Sequence, residues 1–129
     1  MRIIVLQGSP NCEGSTRIMA DAFADGASMA GHQVEVVDVA RLDIRSCIGC
    51  VKCGYEGPCV LRDAMGELRD KILASDMIVF ATPLYYFGMS SQLKTIIDRF
   101  CSFNRSLVDK RMKSALLSVA WDTDDWTFE

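Results

Sequence analysis

Short apolar strands alternate with amphipathic helical segments along this chain, and that alternation limits its fold more than any other feature. Residues 2–6 are a continuous apolar run after Arg2, the pattern of a strand buried on both faces of a parallel sheet. Residues 33–39 carry Val34, Val36, Val37 and Val39, a β-branched second strand. Residues 77–81 and 114–120 read as a third and a fourth. Between them the spacing turns helical. Over 15–30, Met19, Phe23 and Ala27 lie beside Ala22, Gly26 and Ala30 on one face, and Gly31 stops the helix. From residue 63, Met65, Leu68 and Ile72 share a face, and from Ser90 or Ser91 so do Leu93, Ile96, Ile97, Phe100 and Cys101. This order predicts one α/β domain over 1–129, a doubly wound parallel sheet with helices on both faces.

Composition narrows the function. A net charge of −3 with 14 Lys and Arg is poorly suited to gripping nucleic acid or an anionic membrane surface. No apolar run approaches the roughly 20 residues of a membrane helix. The opening apolar run is too short for a signal-peptide core and no small-residue cleavage site follows it, so a cytoplasmic location is expected. In that reducing compartment six cysteines point to metal or redox chemistry more than to disulfides. A small-molecule function is expected, with no nucleic acid and no membrane as partner.

Two strand-to-helix loops would lie at the carboxyl edge of the sheet, where open α/β sheets bind ligands. The first runs Gly8-Ser9-Pro10-Asn11-Cys12-Glu13-Gly14-Ser15-Thr16. The helix start at Ser15 and Thr16 offers free N–H groups and a positive dipole end, and the hydroxyls of Ser9, Ser15 and Thr16 add donors: a phosphate seat. It is not a Walker loop, because five residues separate its glycines and Ser follows. The G-x-G-x-x-G fingerprint is absent, and Cys12 to Arg17 encloses four residues where a phosphatase loop takes five. A simple capped helix start remains the plain alternative. The second loop, Thr82-Pro83-Leu84-Tyr85-Tyr86-Phe87-Gly88-Met89-Ser90, holds three successive aromatics that cannot all face one core. Beside a phosphate seat they suit a planar heterocycle; packing at a subunit interface is the other reading.

These two loops, with Leu93-Lys94-Thr95-Ile96-Ile97-Asp98-Arg99, resemble the NADPH-dependent FMN reductase family, which includes iron–sulfur flavoproteins and has the flavodoxin-like fold. The resemblance covers nearly the whole chain. It implies FMN as cofactor, with Ser9, Pro10, Asn11, Ser15 and Thr16 around the phosphate and Pro83, Leu84, Tyr85, Tyr86, Phe87 and Gly88 cradling the isoalloxazine ring. Asn11 stands where relatives often carry a basic residue, so neutral groups are expected to hold the phosphate. It also implies an oxidoreductase that accepts electrons from NAD(P)H and passes them to a small acceptor. The alternative is an electron relay between protein partners such as ferredoxin, through FMN and a [4Fe–4S] cluster; an inactive, truncated member is a third. No acid, base or nucleophile is named, since the cofactor carries the chemistry.

Residues 40–62 form a long loop inserted before the second helix, and structureless loops of that length are usually functional. Within it Cys47, Cys50, Cys53 and Cys59 have the spacing C-x2-C-x2-C-x5-C, with Gly49, Gly54 and Gly57 to let the backbone turn. Compact runs of this kind ligate [4Fe–4S] clusters, whereas structural zinc favours separated pairs. A cluster, unliganded thiols, zinc or a disulfide all remain open from spacing alone. Cys101 reads as a small core residue, His32 as a solvated turn residue, and Asp122, Asp124 and Asp125 as a solvated loop. Trp121, Trp126 and Phe128 border either the cofactor or a partner. The sheet reads as truncated after its fourth strand, which predicts a homodimer or higher homo-oligomer whose partner subunit covers the exposed strand.

Overall fold

The computed structural model describes residues 1–128; the side chain of Asp125, one of the expected solvated carboxylates, lies outside what is described. Four strands form one parallel sheet in the order β2-β1-β3-β4: β1 (Arg2–Gln7), β2 (Gln33–Asp38), β3 (Met77–Pro83) and β4 (Lys113–Val119). Val5 pairs with Val36 on one side and Val79 on the other, and Val79 pairs with Ala115. All-parallel pairing requires a crossover after every strand, which is what the alternating pattern demanded.

Strand alternation sends Ile4 and Leu6 to one face and Ile3 and Val5 to the other. On the first face they meet Met65, Leu68 and Ile72 of α2 (Met65–Ala74) and Leu93 and Ile96 of α3 (Ser91–Arg99). On the second face α1 (Ser15–Met29) packs Ala20, Phe23 and Ala27 against Ile3, Val5 and Val79. The face of α1 thus differs from the expected one: Thr16 and Ala20 are buried, while Ala22, Gly26 and Ala30 are exposed. Small Ala20, fully buried, lets the helix lie close to the sheet, and its size hid it among larger apolar neighbours.

The helix expected from Ser90 or Ser91 ends at Arg99 and gives way to a 3-10 turn (Phe100–Phe103) and then to α4 (Asn104–Lys110), an element the sequence pattern did not suggest. No residue of α4 is buried, so it carries no apolar stripe to read. Residues 39–41 add a 3-10 turn at the start of the long loop. His32 sits in the turn after α1, where its Nδ1 lies 3.3 Å from the Met1 amino group. No helix of the described residues is long and apolar enough to cross a membrane.

Candidate cofactor site at the switch point of the sheet

The chain leaves β1 for β2 on one side and returns through β3 on the other, so the loops after β1 and β3 flank the point where strand order reverses. One buried hydroxyl stitches them together. Ser90 Oγ donates to Gly8 O at 2.6 Å and accepts from Leu93 N at 3.2 Å, while Ser90 N donates to Thr82 Oγ1 at 3.0 Å. Gly8 N donates to Ala81 O at 2.8 Å. A Cβ on Gly8 would stand 2.6 Å from Leu93 Cβ, so only glycine lets α3 approach this closely. Ser90 caps α3 and fixes both loops; the sequence marked it only as a helix start.

In the first loop Ser9 Oγ accepts from Asn11 N and Asn11 Oδ1 from Glu13 N, both at 3.2 Å, which winds the chain into a tight turn. Ser9 and Thr16 are buried, Pro10, Asn11 and Ser15 exposed. Gly14 stands at the N-cap of α1 and supplies no side-chain acceptor, so the first-turn N–H groups have no side-chain cap. At the base of the loop Gln7 Oε1 accepts from Ser9 N, and the buried Gln7 Nε2 has no hydrogen-bond partner. Uncapped N–H groups, three hydroxyls and an orphaned amide fit the phosphate of FMN. Arg17, the nearest cation in sequence, is held away by Asp21 at 2.8 Å and Asp38 at 3.0 Å. Its hydrogen bond to Asp21 raises its pKa, with Asp38 adding to the effect. Another cation does reach the loop: Arg41 Nη2 lies 2.8 Å from Cys12 Sγ. Sequence order separates the two by a helix and a strand, and the parallel crossover brings them together.

The β3 loop continues the strand to Pro83, and Leu84 N donates to Val119 O at 2.8 Å. It then reverses at Tyr86 and Phe87, where Tyr85 N donates to Gly88 O at 2.8 Å and Gly88 N returns the bond at 3.1 Å. Both central residues hold positive φ, 43° and 64°, in the manner of type I′ turns that favour Asn and Gly. Two aromatics in that conformation are strained, and such strain concentrates at ligand-binding positions. Tyr86 is 97% and Phe87 74% exposed, so the turn presents an aromatic shelf. Phe87 packs on Trp126 at 5.9 Å between ring centroids, which places that tryptophan on the shelf, whereas Trp121 is fully exposed.

The cysteine loop builds a second site. Cys47, Cys50, Cys53 and Cys59 all line one cavity of about 300 Å³. Cys101 lines it too, with its Sγ 3.8 Å from Cys47 Sγ, so the expectation of a core residue is corrected. Cys101 lies in the 3-10 turn beyond α3, and the cysteine loop covers it there in place of a hydrophobic layer. Burial, followed by the neighbouring Cys47 and Cys53 thiols, pushes the Cys101 thiol up to about 12. Among the described residues no three His, Cys, Asp or Glu are drawn together as a metal-ligating group. The all-thiol donor set has the chemistry of iron–sulfur ligation. The loop is anchored by Arg99, 1% exposed, whose Nη1 bonds Asp63 Oδ2 and Arg45 O at 2.7 Å and whose Nη2 bonds Asp63 Oδ1 at 3.1 Å.

A doubly wound parallel sheet with these two loops at its switch point defines the flavodoxin-like class of α/β fold. The chain belongs to the NADPH-dependent FMN reductase family, whose sequence model matches residues 1–121. It is 36% identical over 103 residues to an iron-sulfur flavoprotein of Archaeoglobus fulgidus, covering 80% of this chain and 47% of that protein. A second iron-sulfur flavoprotein, from Methanocaldococcus jannaschii, is 33% identical over 99 residues, 77% of this chain and 51% of that one. The chain therefore spans about half the length of these curated relatives. Among solved structures, the NAD(P)H:quinone oxidoreductase from Methanothermobacter marburgensis superposes with a TM-score of 0.78 at 25% identity, covering 95% of this chain and 65% of that one.

Proposed function

We propose that this chain is an FMN-dependent oxidoreductase that takes electrons from NAD(P)H and delivers them to a small acceptor. The observation that carries the reading is the Ser90 stitch, which holds an uncapped helix start beside a strained aromatic turn at the switch point. Bound FMN would supply hydride acceptance and electron release. The residues do the rest. Ser9, Asn11, Ser15 and Thr16 hold the phosphate through N–H and O–H donors, and Pro10 fixes the turn between them. Pro83 and Gly88 set the path of the shelf, Leu84 ties it to β4, and Tyr85, Tyr86 and Phe87 flank the ring.

A second reading, relay of electrons to a protein such as ferredoxin through a [4Fe–4S] cluster, is favoured by one observation: the motif thiols Cys47, Cys50, Cys53 and Cys59 share a single cavity. A cluster there would supply one-electron transfer. The relatives named as iron-sulfur flavoproteins support the same reading. Self-association into a dimer or larger homo-oligomer completes the proposal, and the cytoplasm is its expected compartment.

The test is the visible spectrum of protein purified without oxygen, followed by FMN titration. Two resolved flavin bands without broader absorption support the reductase; a broad brown absorption beneath them, lost in Cys50→Ser, supports relay. Failure to bind added FMN at any workable concentration overturns both.

A further inference from the structure

A second cavity, about 340 Å³, adjoins the thiol-lined one, with Cys59 and Leu61 shared between the two. Its chemistry differs. Arg62, Arg69 and Arg99 line it, against a single carboxylate, Asp63. That carboxylate is already engaged by Arg99 and by the backbone N–H groups of Arg45 and Met65, both at 3.1 Å. Arg62 makes no ion pair among the described residues, and the only acid near Arg69 is exposed Asp70, 3.7 Å from its Nη1. In a chain of net charge −3, this cavity is therefore lined by one guanidinium without an ion pair, Arg62, and by a second, Arg69, whose ion pair is exposed.

Unspent donors add to the charge. The buried Nε atoms of Arg69 and Arg99 have no hydrogen-bond partner. Asp63 caps the start of α2 at the cavity wall, its Oδ1 accepting from Met65 N at 3.1 Å and its carbonyl from Gly66 N at 3.3 Å, so the donors left to a ligand are the guanidinium groups. The remaining wall is apolar, from Pro58, Leu61 and Met65. A volume of about 340 Å³ lies in the range of small-molecule sites.

We propose that this cavity binds a small organic phosphate, its phosphoryl group on Arg62 and Arg69 and its apolar body on Pro58 and Leu61. Planar guanidinium forks match phosphoryl oxygens. The site stands apart from the FMN phosphate seat and does not depend on FMN being bound. Its occupant would sit against Cys59, the last thiol of the motif.

Isothermal titration of the full chain with phenyl phosphate, in chloride buffer at fixed ionic strength, tests it. Binding to one site at millimolar probe is expected. The Arg62→Gln/Arg69→Gln double variant should weaken it by at least about tenfold, the loss of one charge-assisted contact. Arg62 is exposed and Arg69 partly so, and neither holds Asp63, so the variant keeps its fold, which far-UV circular dichroism checks. Lys113→Gln, which removes one exposed charge at the start of β4, should leave binding unchanged. Absence of binding overturns the proposal, as does binding unchanged in the double variant or lost in Lys113→Gln. FMN titration is a separate readout, so failure of the FMN reading leaves this result standing on its own.

Discussion

The Arg99–Asp63 pair joins α3 to the end of the cysteine loop with both groups almost fully buried, 1% and 3% exposed at their side chains. Burial alone would push the Asp63 carboxyl up, but hydrogen bonds from Arg99 and from the Arg45 and Met65 N–H groups hold it below the usual carboxylate range. Arg99 is raised in turn, Asp63 outweighing its desolvation. Removing one partner strands the other, so Asp63→Ala should cost about 3–5 kcal/mol in urea denaturation. The sign of the pH dependence follows. A depressed folded pKa gives stability present above the unfolded value, near 3.9, and lost as pH falls through the folded one. Asp63→Asn should flatten that acid limb. Cys101 offers a second check at this scale. The thiolate is the nucleophile, so a thiol near 12 should be alkylated by iodoacetamide at pH 8 well after exposed Cys50. Equal rates would contradict its burial.

At the scale of elements, the aromatic turn sets stability against binding. Tyr86→Asn with Phe87→Gly places preferred residues at both positive-φ positions and should raise stability by about 1 kcal/mol or more. It also strips the shelf, so FMN affinity should fall; unchanged affinity in a fluorescence titration would remove the ring from this turn. The strands and the faces of α2 and α3 were legible in the sequence because large apolar side chains recur there at one fixed period: Met65, Leu68 and Ile72 are all buried as spaced. What periodicity could not show lies where small or polar groups decide. Ala20 rather than Ala22 or Gly26 faces the sheet, Ser90 ties two loops, and Arg41 reaches Cys12 across a crossover. Those contacts depend on parallel strand order, which brings distant residues together without leaving a local pattern.

For the whole molecule, the two faces of the sheet are unequally covered. On the α1 side, Ala115 and Leu117 of β4 pack into the core. On the opposite side α2 and α3 lie over the inner strands, and Leu116, paired with Phe80 in β3, is left 66% exposed. β4 is also an edge of the sheet, with unpaired backbone groups along one side. A bare leucine on an open strand edge is a surface that favours burial, and the proposed self-association would bury it against a second copy of the chain. Sedimentation velocity should therefore show self-association at micromolar concentration, and Leu116→Glu should shift it toward monomer, since an unpaired carboxylate opposes burial. The substitution faces solvent in the isolated domain, so its denaturation midpoint should barely move in the monomer. A wild-type chain that sediments only as monomer would leave this face to water and take self-association out of the proposed function.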